Sequence, residues 1–118
     1  SKSLVELLDL FPTTAKMCGL DIPQRIQGED ISLLLRKPQA EVRENIFSAN
    51  NKGWLIQGER WSYIKYKGAS PNEELFDLEK DPQQYSNLVN NPEYTSVLKK
   101  MRLSFQDKLK SIKTNDLK

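Results

Sequence analysis

Between residues 44 and 78 the chain alternates apolar and polar residues in four short runs, and nowhere leaves enough sequence between two of them for a crossover. The runs are "ENIFSA" (44–49), "WLIQ" (54–57), "WSYIKYK" (61–67) and "ELFDL" (74–78), rich in aromatic and β-branched residues. A period of two marks strands with one buried face. Parallel neighbours need a connection of roughly a dozen residues or more, so runs this close are expected to lie antiparallel. Gly58-Glu59 is a hairpin signal between the second and third runs. Within the third, Trp61, Tyr63 and Lys65 fall on one face and Ser62, Ile64 and Tyr66 on the other.

A sheet this small needs a cover for its apolar face. The sequence that follows supplies one. Asn91 is placed to cap a helix, with Pro92 at its first position and Glu93 favourably set against the helix dipole. Tyr94, Leu98, Met101, Phe105, Leu109 and Ile112 then recur at helical spacing, which predicts a stripe laid on the sheet. A helix from Pro92 to Ile112 would run for roughly 30 Å. The expected fold class is α+β: a small four-stranded antiparallel sheet covered by a long C-terminal helix, preceded by short helices and a connector.

Those preceding residues are less self-sufficient. "SLVELLD" (3–9) has helical spacing, with Leu4, Leu7 and Leu8 on one side. Pro12 suits the start of a second helical turn, and Gly19 suits its closure through a left-handed residue. Pro23 and Gly28 interrupt a connector, and "ISLLLRK" makes a short apolar turn or helix that stops before Pro38. The stretch is amphipathic with little of its own to pack against, and it reads as a strap on a larger body.

Composition narrows the chemistry. With 118 residues, 37% hydrophobic and 29% charged, the chain is globular in type rather than disordered. No apolar run approaches the roughly 20 residues of a bilayer span, so no membrane partner is expected. No charged-then-apolar segment follows Ser1, and without an initiating Met the chain is expected to be a portion of a longer protein. There is no His, and Cys18 is the single cysteine. An internal disulfide, a His/Cys metal cluster and a Cys–His nucleophile are thereby excluded, and Cys18 is expected to be a small buried hydrophobe. Glu29-Asp30 and Glu73-Glu74 are adjacent acids that would face opposite ways on a strand. They are poor acid–base pairs and are expected to be solvated turn residues.

The net charge of +2 hides an asymmetry: from Thr95 to Lys118 seven Lys or Arg face two Asp, while the rest of the chain is net −3. The basic stretch is expected to be a solvated helix face, without a nucleic-acid partner.

Four segments, in order, resemble the C-terminal part of type I sulfatases of the alkaline phosphatase-like superfamily. "ELFDLEKDPQQYSNL" (74–88) is similar to that family's E-L-[YF]-D-L-x-x-D-P-x-E-x-x-N-L signature, and "VELLDLFPTTAKMCGLDIP" (5–23) to its Asp-x-x-Pro-Thr helix ending at Gly. "IQGEDISLLL" (26–35) resembles the Leu-rich turn that follows, and "GERWSYIKY" (58–66) stands where the family carries its R-Y-K-Y strand. Together they cover about residues 4 to 98.

The resemblance implies that residues 1–40 are the end of the large sulfatase domain and connector, and residues 41–118 the C-terminal subdomain. Its partners would be the N-terminal catalytic domain of the same chain and, through the parent, a sulfated glycan. That family's formylglycine, made from Cys or Ser inside C/S-x-P/A-x-R, and its calcium, held by Asp and Asn, both lie in the N-terminal domain. Cys18 is followed by Gly19-Leu20-Asp21-Ile22 and is not that cysteine. The resemblance therefore implies no catalytic residue, cofactor or metal here, and a periplasmic, secreted or lysosomal parent. Asp77 and Asp81 alone fall short of the six or more oxygens that calcium takes.

Arg60 and Trp61, with Gln57 and Trp54, are the candidates for the rim of the substrate pocket; Asp77, Asp81 and Pro82 are expected to build a structural turn. Gln57 stands where many members have Arg, and Ser62 where they have Lys. The alternative is a free-standing module in which Trp54, Trp61 and Tyr63 form an aromatic platform for glycan or single-stranded nucleic acid.

Overall fold

The computed structural model describes residues 2–68 and 70–112, which divide into two compact units, one running to Glu44 and taking in residues 111–112, and one spanning Asn45–Lys110. The second holds the four expected strands: β1 (Ile46–Ala49), β2 (Gly53–Gln57), β3 (Trp61–Tyr66) and β4 (Glu73–Asp77). They form one sheet in the order β1-β2-β3-β4, antiparallel throughout. The register aligns Phe47, Ile56, Tyr63 and Leu75 in a single row across all four strands. The next row on that face is Ala49, Trp54, Lys65 and Glu73, while Ser48, Leu55, Ile64 and Glu74 lie on the opposite face.

The cover is a helix. Asn91 accepts the Glu93 amide through its side chain at 3.0 Å, Pro92–Tyr94 form a 3-10 turn, and α3 follows over Thr95–Ser111. Its Leu98, Met101 and Phe105 are buried together with Ile56, Tyr63 and Leu75. The stripe predicted from the sequence continues to Leu109 and Ile112, which are 38% and 41% exposed. Length is the reason. Seventeen helical residues extend for about 25 Å, whereas strands of four to six residues span at most about 20 Å, so the helix outruns the sheet.

Beyond β4 the chain doubles back and Asn87 takes over the strand's outer side. Its Oδ1 accepts the Leu75 amide at 3.0 Å and its amide nitrogen donates to the Glu73 carbonyl at 3.2 Å, while the Leu88 amide donates to the Leu75 carbonyl at 2.8 Å.

The unit that runs to Glu44 contains a 3-10 turn at Leu7–Asp9, α1 (Leu10–Met17) and α2 (Leu33–Arg36). The helix expected over residues 3–9 begins late: residues 3–6 are not helical, and Glu6 is extended at φ −116° and ψ 153°. A capping box between Glu6 and Asp9 starts the helix there, and long-range bonds hold Asp9 in place. Its fully buried carboxylate accepts the amides of Glu6 at 2.7 Å and Glu29 at 2.9 Å, and takes both arms of the Arg43 guanidinium at 2.5 and 2.7 Å. Arg43 is thereby drawn into this unit. A Cβ on Gly28 would lie 2.0 Å from the Leu8 carbonyl oxygen, so only glycine lets the connector cross the turn at that point.

Gly19 closes α1 as expected, with φ +72° and the Leu20 amide bonded back to the Ala15 carbonyl at 2.9 Å. Cys18, expected to be buried, is exposed, because the last turn of α1 rolls it outward just before that reversal. Only Asp9, Pro12 and Ala15 are buried among the described residues of this unit, whereas Leu7, Leu8, Leu10, Phe11 and Met17 are more than half exposed.

Phe105 joins helix to sheet most extensively, its ring centroid lying 5.8 Å from Tyr63, 6.0 Å from Trp54 and 6.3 Å from Phe47. Truncating it leaves a cavity ringed by three aromatic side chains. Phe105→Ala is expected to cost about 3–5 kcal/mol, read as a lowered midpoint in a circular dichroism melt or urea titration.

Candidate functional site

The hairpin between β2 and β3 presents Arg60, and the turn after β4 decides what Arg60 can do. Its Nε and Nη2 donate to the two carboxylate oxygens of Asp77 at 3.0 and 2.8 Å, and its Nη1 lies 3.1 Å from Glu79. The guanidinium also stands 5.0 Å above the Trp61 ring. The turn itself is laced by the Leu78 amide to the Arg60 carbonyl at 2.7 Å and the Asp81 amide to the Asp77 carbonyl at 2.7 Å. Asp81 accepts the Ser86 amide at 2.8 Å, and exposed Pro82 follows it. The hydrogen bonds from Arg60 hold the buried Asp77 carboxyl below the usual carboxylate range. Asp77 is thus a permanent anion that orients Arg60.

The rim candidates are only partly brought together. Arg60 and Trp61 are in contact, and Gln57 lies at the same hairpin end, paired across the ladder with Ser62. Ser62 is fully buried, and its hydroxyl has no hydrogen-bond partner. Trp54 stands apart at the far end of β2, its ring edge-on to Phe105. The aromatic platform of the alternative reading does not form: Tyr63 is buried, Trp54 packs on Phe105, and Trp61 packs on Tyr94 at 5.6 Å. These rings belong to the sheet–helix core.

Glu73 was expected to be a solvated turn residue and is a partly buried junction instead. One oxygen accepts from Tyr63 at 2.8 Å and Lys65 at 2.9 Å; the other accepts from Arg102 of α3. Burial alone would raise this carboxyl, but the bonds from Arg102, Lys65 and Tyr63 outweigh it and hold the group at about 2. Burial and the Glu73 carboxylate push the Tyr63 hydroxyl well above its ordinary value. Tyr63 and Lys65 share a strand face two residues apart, a signal that could have marked Glu73 as their common partner. Arg102 is the member of the basic stretch committed to this network; Lys99, Lys100 and Lys110 are exposed, and Lys113, Asp116 and Lys118 lie outside the described residues.

The acids are therefore built into the scaffold. Among the described residues no group of three or more His, Cys, Asp or Glu is placed to hold a metal ion. Calcium takes about six to eight oxygens. Both oxygens of Asp77 are occupied by Arg60, one of Asp81 by the Ser86 amide, and both of Glu73 by cationic donors. Neither calcium nor formylglycine fits these residues, since exposed Cys18 has neither the flanking Pro or Ala nor the following Arg. No described helix is long and apolar enough to cross a membrane.

Comparison with known proteins agrees with this arrangement. The family described as "N-sulphoglucosamine sulphohydrolase, C-terminal" matches residues 1–112. The chain is 30% identical over 125 aligned positions to arylsulfatase K of Mus musculus, covering 93% of this chain and 21% of that protein. It is 28% identical to the Delta 4,5-hexuronate-2-O-sulfatase of Bacteroides thetaiotaomicron, covering 85% of this chain and 22% of the relative. The solved structure of a 2-O GAG sulfatase superposes with a TM-score of 0.74 at 27% identity, over 86% of this chain and 24% of that one. The chain spans about a fifth of the length of the curated relatives it matches.

Glu73 gives this region a defined acid response. Its carboxyl titrates at about 2 in the folded chain against an ordinary 4.5, so the unfolded chain binds the proton first. The stabilisation is fully present above about pH 4.5 and is lost as the pH falls towards 2. Urea midpoints measured from pH 6 to 2 should decline across that window, and less steeply in Glu73→Gln.

Proposed function

The chain belongs to the N-sulphoglucosamine sulphohydrolase C-terminal family, and from that premise we propose that it is the C-terminal part of a sulfatase. The parent would be a sulfuric ester hydrolase acting on sulfated glycans. This portion frames the substrate pocket and supplies none of the reacting groups. The observation that carries the reading is the use of its acids: Asp9, Glu73, Asp77 and Asp81 are all engaged as hydrogen-bond acceptors that hold backbone or cations in place. A general acid needs a proton free to pass to the substrate, and a metal ligand needs a lone pair free to face the ion.

On this reading residues 1–40 close the large domain and 41–118 form the C-terminal subdomain. The partner is the N-terminal catalytic domain of the same protein, and the bare Leu7, Leu8, Leu10 and Phe11 side chains are the face that meets it. That domain would hold the formylglycine, whose hydrated aldehyde is the nucleophile, and the calcium that offsets charge on the sulfate. Arg60 and Trp61, with Gln57 beside them, approach the substrate at the pocket rim. Arg60 does so as a guanidinium already neutralised by Asp77 and Glu79, so it shapes and orients more than it attracts. The names of the relatives favour a glycosaminoglycan as the glycan. A periplasmic, secreted or lysosomal parent follows from the resemblance.

Two measurements test this. The purified 118-residue chain, given calcium and 4-nitrocatechol sulfate, should release no 4-nitrocatechol above the buffer blank; release that survives repurification and disappears in Cys18→Ala would place chemistry in this chain. In the full-length parent, Arg60→Ala and Trp61→Ala should slow turnover of a large sulfated glycan more than that of the small aryl sulfate. Equal losses on both substrates would remove these residues from the rim.

A further inference from the structure

Thr13 ties the residues that lead into α2 to the middle of α1. Its hydroxyl donates to the Asp9 carbonyl at 2.6 Å, and the same oxygen accepts the Ile31 amide at 3.0 Å. The Asp30 carboxylate in turn accepts the Ser32 amide at 2.9 Å. The two helices leave a groove of about 550 Å³, lined by Lys16 and Met17 from the last turn of α1 and by Ser32, Leu33, Leu35 and Arg36 at α2.

The lining is apolar and cationic, without an acid. Met17, Leu33 and Leu35 are 64%, 47% and 70% exposed. Leu10 and Met17, seven residues apart, share one side of α1, so the groove continues the bare surface of that helix. Lys16 and Arg36 are exposed, and neither has a carboxylate within ion-pair distance among the described residues, whereas Arg43 of the same unit holds Asp9. Lys16 acts on Asp30 only from farther off. A helix of four residues has little stability of its own, since isolated helices shorter than about 12–15 residues are marginal in water. It needs a neighbour on its open side.

An apolar groove with two uncompensated cations suits a chain segment that is itself apolar and carries carboxylates. We propose that the groove is filled by a segment of the catalytic domain of the same protein, apolar where it meets Met17, Leu33 and Leu35 and acidic where it meets Lys16 and Arg36. The matched family is described as C-terminal, and the chain spans about a fifth of its curated relatives. The greater part of such a protein therefore lies outside these residues and is the neighbour at hand. The inference rests on the reading of the chain as the C-terminal part of a larger protein, and adds to it a second place of contact and the chemistry of what docks there.

A water-soluble carbodiimide joins an amine to a carboxylate in direct contact with it. Applied to the full-length parent, followed by digestion and mass spectrometry, it should yield Lys16 linked to an aspartate or glutamate from upstream of Ser1. Leu35→Asp and Arg36→Glu, both at exposed positions, should each lower the yield of that link about tenfold or more, with far-ultraviolet circular dichroism matching the unaltered parent. A yield unchanged in both variants would overturn the proposal. So would Lys16 linked only to Asp30, linked between copies in a mixture of isotope-labelled and unlabelled protein, or left unlinked, as it would be with a small ligand in the groove. Turnover of 4-nitrocatechol sulfate by the same parent separates the two readings. Hydrolysis without the link removes the groove assignment alone, whereas the link without hydrolysis removes the sulfatase chemistry and leaves the docked segment standing.

Discussion

A carboxylate taken out of water must be met by donors, because an unpaired buried charge costs several kcal/mol. Each compact unit is organised around one such group. In the first, Asp9 gathers two backbone amides and a bidentate guanidinium from positions 3, 20 and 34 residues away in the chain. In the second, Asp77 fastens the end of β4 to the hairpin through Arg60. Glu73 repeats the device at the other end of β4, tying α3 to the sheet through Arg102. Hydrophobic burial supplies most of the driving force in the second unit, where Tyr63, Leu75 and Phe105 meet. The ion pairs specify where each element ends and which way it faces.

That division of labour explains what could be read from the residues. The strands and α3 were legible because their periods are local and survive burial: Phe47, Ile56, Tyr63 and Leu75 all stand on the side that alternation assigns them. The cap at Asn91 and the reversal at Gly19 were legible because each needs only its immediate neighbours. Helix spacing over residues 3–9 misled, since Glu6 is an extended cap whose amide bonds the Asp9 carboxylate, and that carboxylate is held by Glu29 and Arg43 far along the chain. Glu73 misled for the same reason: one of its partners lies on the neighbouring strand and another 29 residues away on α3. Of the rim candidates, the shared position of Arg60 and Trp61 followed from their adjacency on one hairpin. The neutralisation of Arg60 did not, because it depends on where the chain returns after β4.

A neutralised arginine is a different tool from a free one. A free guanidinium offers charge over a distance and can adapt to several anions. One held at two edges by Asp77 and Glu79, with its face against Trp61, offers a fixed shape and few spare donors.

The return of the chain past β4 also bears on behaviour outside any binding event. A strand at the margin of a sheet normally displays a row of unsatisfied amides and carbonyls, which recruit strands from other molecules. Here a single side chain, Asn87, covers both the Leu75 amide and the Glu73 carbonyl, and Leu88 covers the Leu75 carbonyl. The margin is closed by an amide that imitates backbone, without a fifth strand having to be folded. A chain lacking that amide would expose a template for self-association there, so the residue bears on solubility as well as on the anchoring of the strand.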